Sequence, residues 1–125
     1  MSVEFHIDIE RKLIIGQVSG EVEHQELQDV VQEMVRHPDY DPTFNEIWDI
    51  RKVIKVKSFL KQTMARVENE HRIRRIKTPN REALIVKNTL QHKIASLYAV
   101  LAENIPLKVE VFYDYERGLR WVSEE

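Results

Sequence analysis

Six residues of this chain have the types and placement to hold a small polar or phosphorylated ligand: Asp49, Arg51, Ser58, Asn88, Thr89 and Asp114. Asp49 and Arg51 flank Ile50 in a short apolar stretch, and the other four stand where helices are expected to begin. Helix N-termini point free N–H groups outward and favour anions, and in open α/β sheets ligands sit beyond the carboxyl ends of the strands. A charged pair beside amide and hydroxyl groups therefore suits a small anionic ligand. The plainer reading makes Ser58, Asn88 or Thr89, and Asp114 ordinary helix caps, with Asp49 and Arg51 paired to each other. Because every helix start needs a cap, that plainer reading leads.

A second candidate is the basic stretch His71-Arg72-Ile73-Arg74-Arg75-Ile76-Lys77. Guanidinium groups such as Arg72, Arg74 and Arg75, with Lys77, form good phosphate contacts. No aromatic residue interleaves with them, so bases would find no stacking platform and nucleic acid is not the expected partner. The bland alternative is that these bases complement the negative end of a helix and an acidic neighbouring helix. The five histidines, His6, His24, His37, His71 and His92, lack metal-ligand spacing, so no metal is expected. Gly16, Gly20 and Gly118 are the only glycines, which excludes a Gly-rich phosphate loop, and no nucleophile-elbow motif is present. No nucleophile is paired with a base, so the expectation is a non-enzymatic protein with no cofactor.

Composition narrows the class further. The 125 residues suit one domain, and 42% hydrophobic with 32% charged residues is globular composition. The absence of cysteine removes disulfides, thiol nucleophiles and thiolate metal sites by inventory. No apolar run approaches the roughly 20 residues of a membrane span, and the first residues lack the pattern of a signal sequence, so no membrane insertion and a cytoplasmic location are expected. The net charge is −2, but the charges are segregated. From Glu21 to Asp49 there are nine acids against Arg36 alone; from Arg51 to Lys77 there are ten bases against Glu68 and Glu70. An acidic block followed by a basic one steers and orients a protein partner.

The elements that must position these residues follow from periodicity. Val3, Phe5, Ile7 and Ile9 alternate with polar residues as in a half-buried strand. After a tight turn at Arg11-Lys12, Leu13, Ile14, Ile15 and Val18 make a second strand closed by Ser19-Gly20; so short a link requires antiparallel pairing. Leu27, Val30, Val31, Met34 and Val35 form a helical stripe ended by Pro38 and Pro42. Ile47, Trp48 and Ile50 read as a short buried strand. Ser58 would cap a second helix carrying Leu60, Thr63, Met64, Val67 and His71, stopping before Thr78-Pro79-Asn80. Ala83 to Val86 is a central strand, and Asn88 or Thr89 caps a helix with Leu90, Ile94, Leu97, Tyr98 and Leu101 on one side. Leu107, Val109, Val111 and Phe112 give the last strand, and Asp114 caps a terminal helix carrying Leu119, Trp121 and Val122. This order predicts one α/β domain over residues 1–125, a mostly parallel five-stranded sheet opening with an antiparallel hairpin.

Several short stretches carry a likeness: Gly16 to Gly20 closing the second strand; His37-Pro38-Asp39-Tyr40-Asp41-Pro42 after the first helix; Trp48-Asp49-Ile50-Arg51 on the third strand; and Val111-Phe112-Tyr113-Asp114-Tyr115-Glu116-Arg117-Gly118-Leu119-Arg120-Trp121-Val122 at the end. With the element order, they make the chain resemble the STAS fold of anti-sigma-factor antagonists, an α/β sheet whose helices lie mainly on one side, and more closely small standalone bacterial STAS-like, SpoIIAA-like, proteins. The resemblance implies a regulatory or protein-interaction module, with a protein partner or a homodimer. It also implies a switch, since antagonists of this superfamily are phosphorylated on Ser or Thr in an Asp-Ser-Ser/Thr-Gly-like turn where the second helix begins. Ser58 lies at about that place, yet it has no neighbouring Asp or Gly, and a capping role explains it without phosphorylation. The alternative expectation is a small-ligand sensor using the rim of Asp49, Arg51, Ser58, Asn88, Thr89 and Asp114.

Overall fold

The structure is a computed structural model that describes residues 2–56, 80–104 and 106–124. It opens with the hairpin of β1 (Ser2–Asp8) and β2 (Leu13–Val22), paired antiparallel from Ser2 opposite Ser19 to Asp8 opposite Leu13. Asp8 Oδ1 accepts from the Arg11 N–H at 3.1 Å, and Lys12 closes the turn with a positive φ of 54°. Helix α1 (His24–Arg36) follows, then β3 (Asn45–Val56), β4 (Asn80–Ile85), α2 (Thr89–Leu101) with a 3-10 turn at Ala102–Asn104, β5 (Leu107–Phe112) and α3 (Tyr115–Ser123). The helix expected from Ser58 lies outside the described residues.

The five strands stand in the order β1-β2-β3-β4-β5, antiparallel at the first pair and parallel thereafter. Strand alternation sends successive side chains to opposite faces, and each face finds its own cover. Leu13, Ile47, Ala83 and Ile85 point to one face, where they pack with Val122, Leu119, Trp121 and Tyr115 of α3. On the other face, Leu84 and Val86 meet Ala95 and Tyr98 of α2, and Ile7 and Ile14 meet Met34 of α1. Trp48 contributes to both of these clusters and bridges the ground between α1 and α2. Two of the three described helices thus share one side, as the resemblance to the STAS fold implies.

Three details depart from the sequence expectation. Gly20 does not end β2: with φ 82° it sits at a register shift, and the strand continues to Val22. A bulge takes up an extra residue and lets pairing resume, which a reading of Gly as a stop overlooks. Likewise β3 is not short but runs 12 residues, and beyond Asp49, which pairs with Ile85 at the end of β4, its described pairing is to β2 alone as far as Val56. The third departure is rotational. Helix α2 buries Gln91, Ala95 and Tyr98, while Leu90, placed by its apolar character on the inner stripe, is 62% exposed. One residue is about 100° of helix rotation, so turning Gln91 inward necessarily turns Leu90 out.

Glu46 and Glu82 are also buried, in register on β3 and β4. Glu46 Oε1 accepts from the Trp48 indole N–H at 2.9 Å, two residues along the same face of the strand.

Candidate functional site

The carboxyl-end rim is built by strands of unequal length. Strand β4 ends at Ile85 and turns into α2, whereas β3 continues, so the β3 carbonyls that would have faced β4 need other partners. Gln91 supplies them: its Nε2 donates to Arg51 O at 3.1 Å and to Val53 O at 2.9 Å. Its Oε1 accepts from the Lys87 N–H at 2.9 Å, so one buried side chain binds the start of α2 to the projecting end of β3. Asn88 caps α2, its Oδ1 accepting from the Gln91 N–H at 2.9 Å, and Thr89 is the exposed first residue of the helix.

On the opposite face, Asp49 and Arg51 point the same way because they are two residues apart on one strand. Arg51 donates Nε to Asp49 Oδ1 at 2.9 Å and Nη2 to Oδ2 at 2.7 Å, a bidentate fork, and its backbone N–H adds a bond to Oδ1 at 3.0 Å. Burial alone would raise the Asp49 pKa, but the two Arg51 donors and its positive charge outweigh it and hold the carboxyl below the usual carboxylate value. The same bonds to Asp49 push the Arg51 guanidinium upward. Arg51 also lies 5.8 Å from the centroid of the Tyr115 ring, whose phenol is raised first by burial and then by the nearby Asp49 charge. Asp114, just before Tyr115, caps α3 by accepting from the Glu116 N–H at 2.9 Å and the Arg117 N–H at 3.4 Å.

The structure therefore divides the expected rim. Asp49 and Arg51 stand together under α3; Asn88 and Thr89 belong to the start of α2 on the other face; Asp114 is exposed at the α3 start. Ser58 and the basic patch of Arg72, Arg74, Arg75 and Lys77 lie outside the described residues. Gln91, which joins the two sides, was missed by sequence reasoning, since a glutamine inside an apolar helical stripe looks like an interruption of it. Its position three residues after the Asn88 cap, where a Glu or Gln side chain can reach back, was the available signal. Nearby, His92 and Tyr113 stack with ring centroids 5.3 Å apart, and His92 Nδ1 lies 3.3 Å from the Ser96 hydroxyl. Among the described residues no cluster of His, Asp and Glu has the arrangement of a metal site, and no helix is long and apolar enough to cross a membrane. A shallow open groove of about 510 Å³ exists away from the rim, on the side of α1 that carries Asp29, Gln32, Glu33, Arg36 and His37.

No family model and no curated protein matches the chain. Among solved structures it is similar to an uncharacterized protein of the DUF3478 family from Shewanella loihica PV-4, described as having a SpoIIAA-like fold, with a TM-score of 0.64 and 14% sequence identity over 96% of this chain and 93% of that one. The fold is SpoIIAA-like. In this SpoIIAA-like chain the opening hairpin, the parallel strands and the described helices follow the element order the sequence implies. At 14% identity the likeness extends to the fold, and the rim chemistry has to be read from this chain's own residues.

Proposed function

We propose that the chain is a non-enzymatic regulatory module that works by binding other proteins. The observation that carries this reading is that the polar groups of the rim are engaged with one another. Asp49 is held by three Arg51 bonds, Asn88 and Asp114 by helix N–H groups, and Gln91 by two carbonyls and an N–H. A carboxylate locked in a bidentate fork with its pKa lowered is a poor general base, because a base works best when its pKa lies near the working pH. The acidic outer side of α1, with Asp29 and Glu33 exposed, supplies a charged surface for a basic partner. The test is affinity capture at low salt with the wild-type chain and with Asp29→Lys/Glu33→Lys. A captured protein that is lost on charge reversal supports the reading; equal capture by both chains, or none, contradicts it.

One observation favours a second reading, a binding domain for a small anionic or phosphorylated ligand. The Arg51 side chain is 41% exposed, and its fork to Asp49 uses Nε and Nη2 but not Nη1. Thermal shift against phosphate and phosphorylated metabolites separates the two readings. A shift that disappears in Arg51→Ala establishes the ligand site, and its absence removes it.

A further inference from the structure

We propose that two copies of this chain pair antiparallel along the outer edge of β1, Phe5 opposite Phe5, and so continue the five-stranded sheet across a twofold axis. The inference rests on the reading of the chain as an interaction module and names one partner, a second copy.

The sheet has two edges, β1 and β5. Natural edges are blunted by Lys, by Pro or by covering elements. Strand β5 has these devices: Pro106 precedes it, Lys108 is exposed on it, and α2 and α3 pack against it. Strand β1 contains neither Lys nor Pro; α1 covers one of its faces at Phe5 and Ile7, and among the described residues nothing pairs with its outer side. Helix α3 packs chiefly on β3, β4 and β5, so among the described residues no helix covers the same face of the sheet at β1, where Ser2, Glu4 and His6 are exposed. A second strand can approach that face without meeting a described helix.

The sequence of β1 then selects the register. With the twofold at Phe5, each Glu4 faces the other copy's His6, each Val3 faces Ile7, and each Ser2 faces Asp8. All seven residues of β1 are paired, because Phe5 is the middle of Ser2–Asp8. Shifting the axis to Glu4 sets Glu4 against Glu4, and shifting it to His6 sets Glu4 against Asp8; like charges directly opposite are unfavourable. The Phe5 register alone combines full overlap with opposed Glu4 and His6, and the imidazole can donate an N–H to the carboxylate whether neutral or charged. On the other face, Phe5 and Ile7, which already pack with Met34 and Phe44, would extend their apolar cluster into its symmetry copy. A single strand edge is smaller than a standard interface, so the dimer is of micromolar class.

The absence of cysteine makes the register directly testable. Residues directly opposite in an antiparallel pair have Cα atoms about 4.5–5.5 Å apart, within disulfide range. Under mild oxidation Phe5→Cys is expected to give a covalent dimer, whereas Val3→Cys, four residues out of register with its own copy, is not. Sedimentation equilibrium of the full chain from about 1 μM to 1 mM is expected to show a monomer–dimer equilibrium. His6→Glu should weaken it roughly tenfold or more, since two cross-strand pairs then set carboxylate against carboxylate at once. Glu4→Lys/His6→Glu should restore it. Both positions are exposed, so circular dichroism should show an unchanged fold. A monomer throughout, a dimer indifferent to His6→Glu, or equal crosslinking of Phe5→Cys and Val3→Cys overturns the proposal. A dimer in a chain that captures nothing from lysate upholds the edge pairing and removes only the heterologous partner.

Discussion

Replacing Gly16 by alanine probes the packing that organises the centre of the sheet. Gly16 and Trp48 are direct neighbours across β2 and β3, and a methyl group on Gly16 would sit against Cζ3 and Cε3 of the indole, with Cη2 at 2.7 Å. The ring has nowhere to yield, because it packs in the clusters under both α1 and α2 and its N–H is held by Glu46 at 2.9 Å. Overpacking a filled core costs about 1–3 kcal/mol. Moving the indole off its hydrogen bond adds about 1 kcal/mol. Against this stands the gain of about 0.5–1 kcal/mol from removing a strand glycine's freedom in the unfolded chain. The net expectation for Gly16→Ala is a loss of about 2–3 kcal/mol, or roughly 8 °C in Tm for a domain of this size. Urea unfolding with and without Trp48→Val closes a double-mutant cycle. With the ring removed, Gly16→Ala should become neutral or stabilising, a coupling of about 2 kcal/mol. Gly16→Ala within about 0.5 kcal/mol of wild type would show that the tryptophan does not require the glycine, and the reasoning would fail.

Three further predictions follow from other contacts. Gly118→Ala is expected to change stability by less than about 1 kcal/mol, because the near atom, Ile85 Cδ1 at 2.5 Å, is the end of a flexible side chain and alanine favours the helix; urea midpoints compared with Gly16→Ala check the contrast. Gln91→Ala removes the donors to Arg51 O and Val53 O together with the acceptor for the Lys87 N–H, costing about 2–3 kcal/mol. Hydrogen exchange should then quicken in Lys52–Val56 before it does in β4. Asp49 has a folded pKa below its unfolded value, so its contribution is full above the unfolded pKa and is lost as pH falls through the folded one. Asp49→Asn should therefore flatten the decline of the urea midpoint on acidification below about pH 4, and an unchanged acid limb would contradict the Arg51 fork.

How much of this was legible in the sequence depends on whether the cause was local. Asn88 and Asp114 act within their own first helical turns, so cap chemistry identifies them from type and position. The Asp49–Arg51 pair was legible for the same reason, two residues apart on one face of a strand. The hairpin carries a period-two pattern, and the short apolar run Ala83–Val86 located the central strand, though not its polar start at Asn80-Arg81-Glu82. The end of β3 carries neither pattern: Lys52 and Lys55 interrupt it, Ile54 is 76% exposed, and among the described residues pairing with β2 and the reach of Gln91 keep it extended. Buried Glu46 and Glu82 were equally hidden, since a glutamate at a strand start reads as solvated until its neighbours are known. Which face each rim residue takes was not legible, because a sequence does not show that Asp49 and Arg51 stand under α3 while Asn88 and Thr89 begin α2 on the other face.

Amide NMR spectra of the full chain, recorded across a protein dilution series and again with phosphate and phosphorylated metabolites, test the central claim most directly. Concentration-dependent shifts centred on Val3 to Ile7 are expected, with Asp49, Arg51, Asn88 and Gln91 unmoved by the added anions. Shifts at those four residues on adding anions, with β1 indifferent to dilution, would contradict the account.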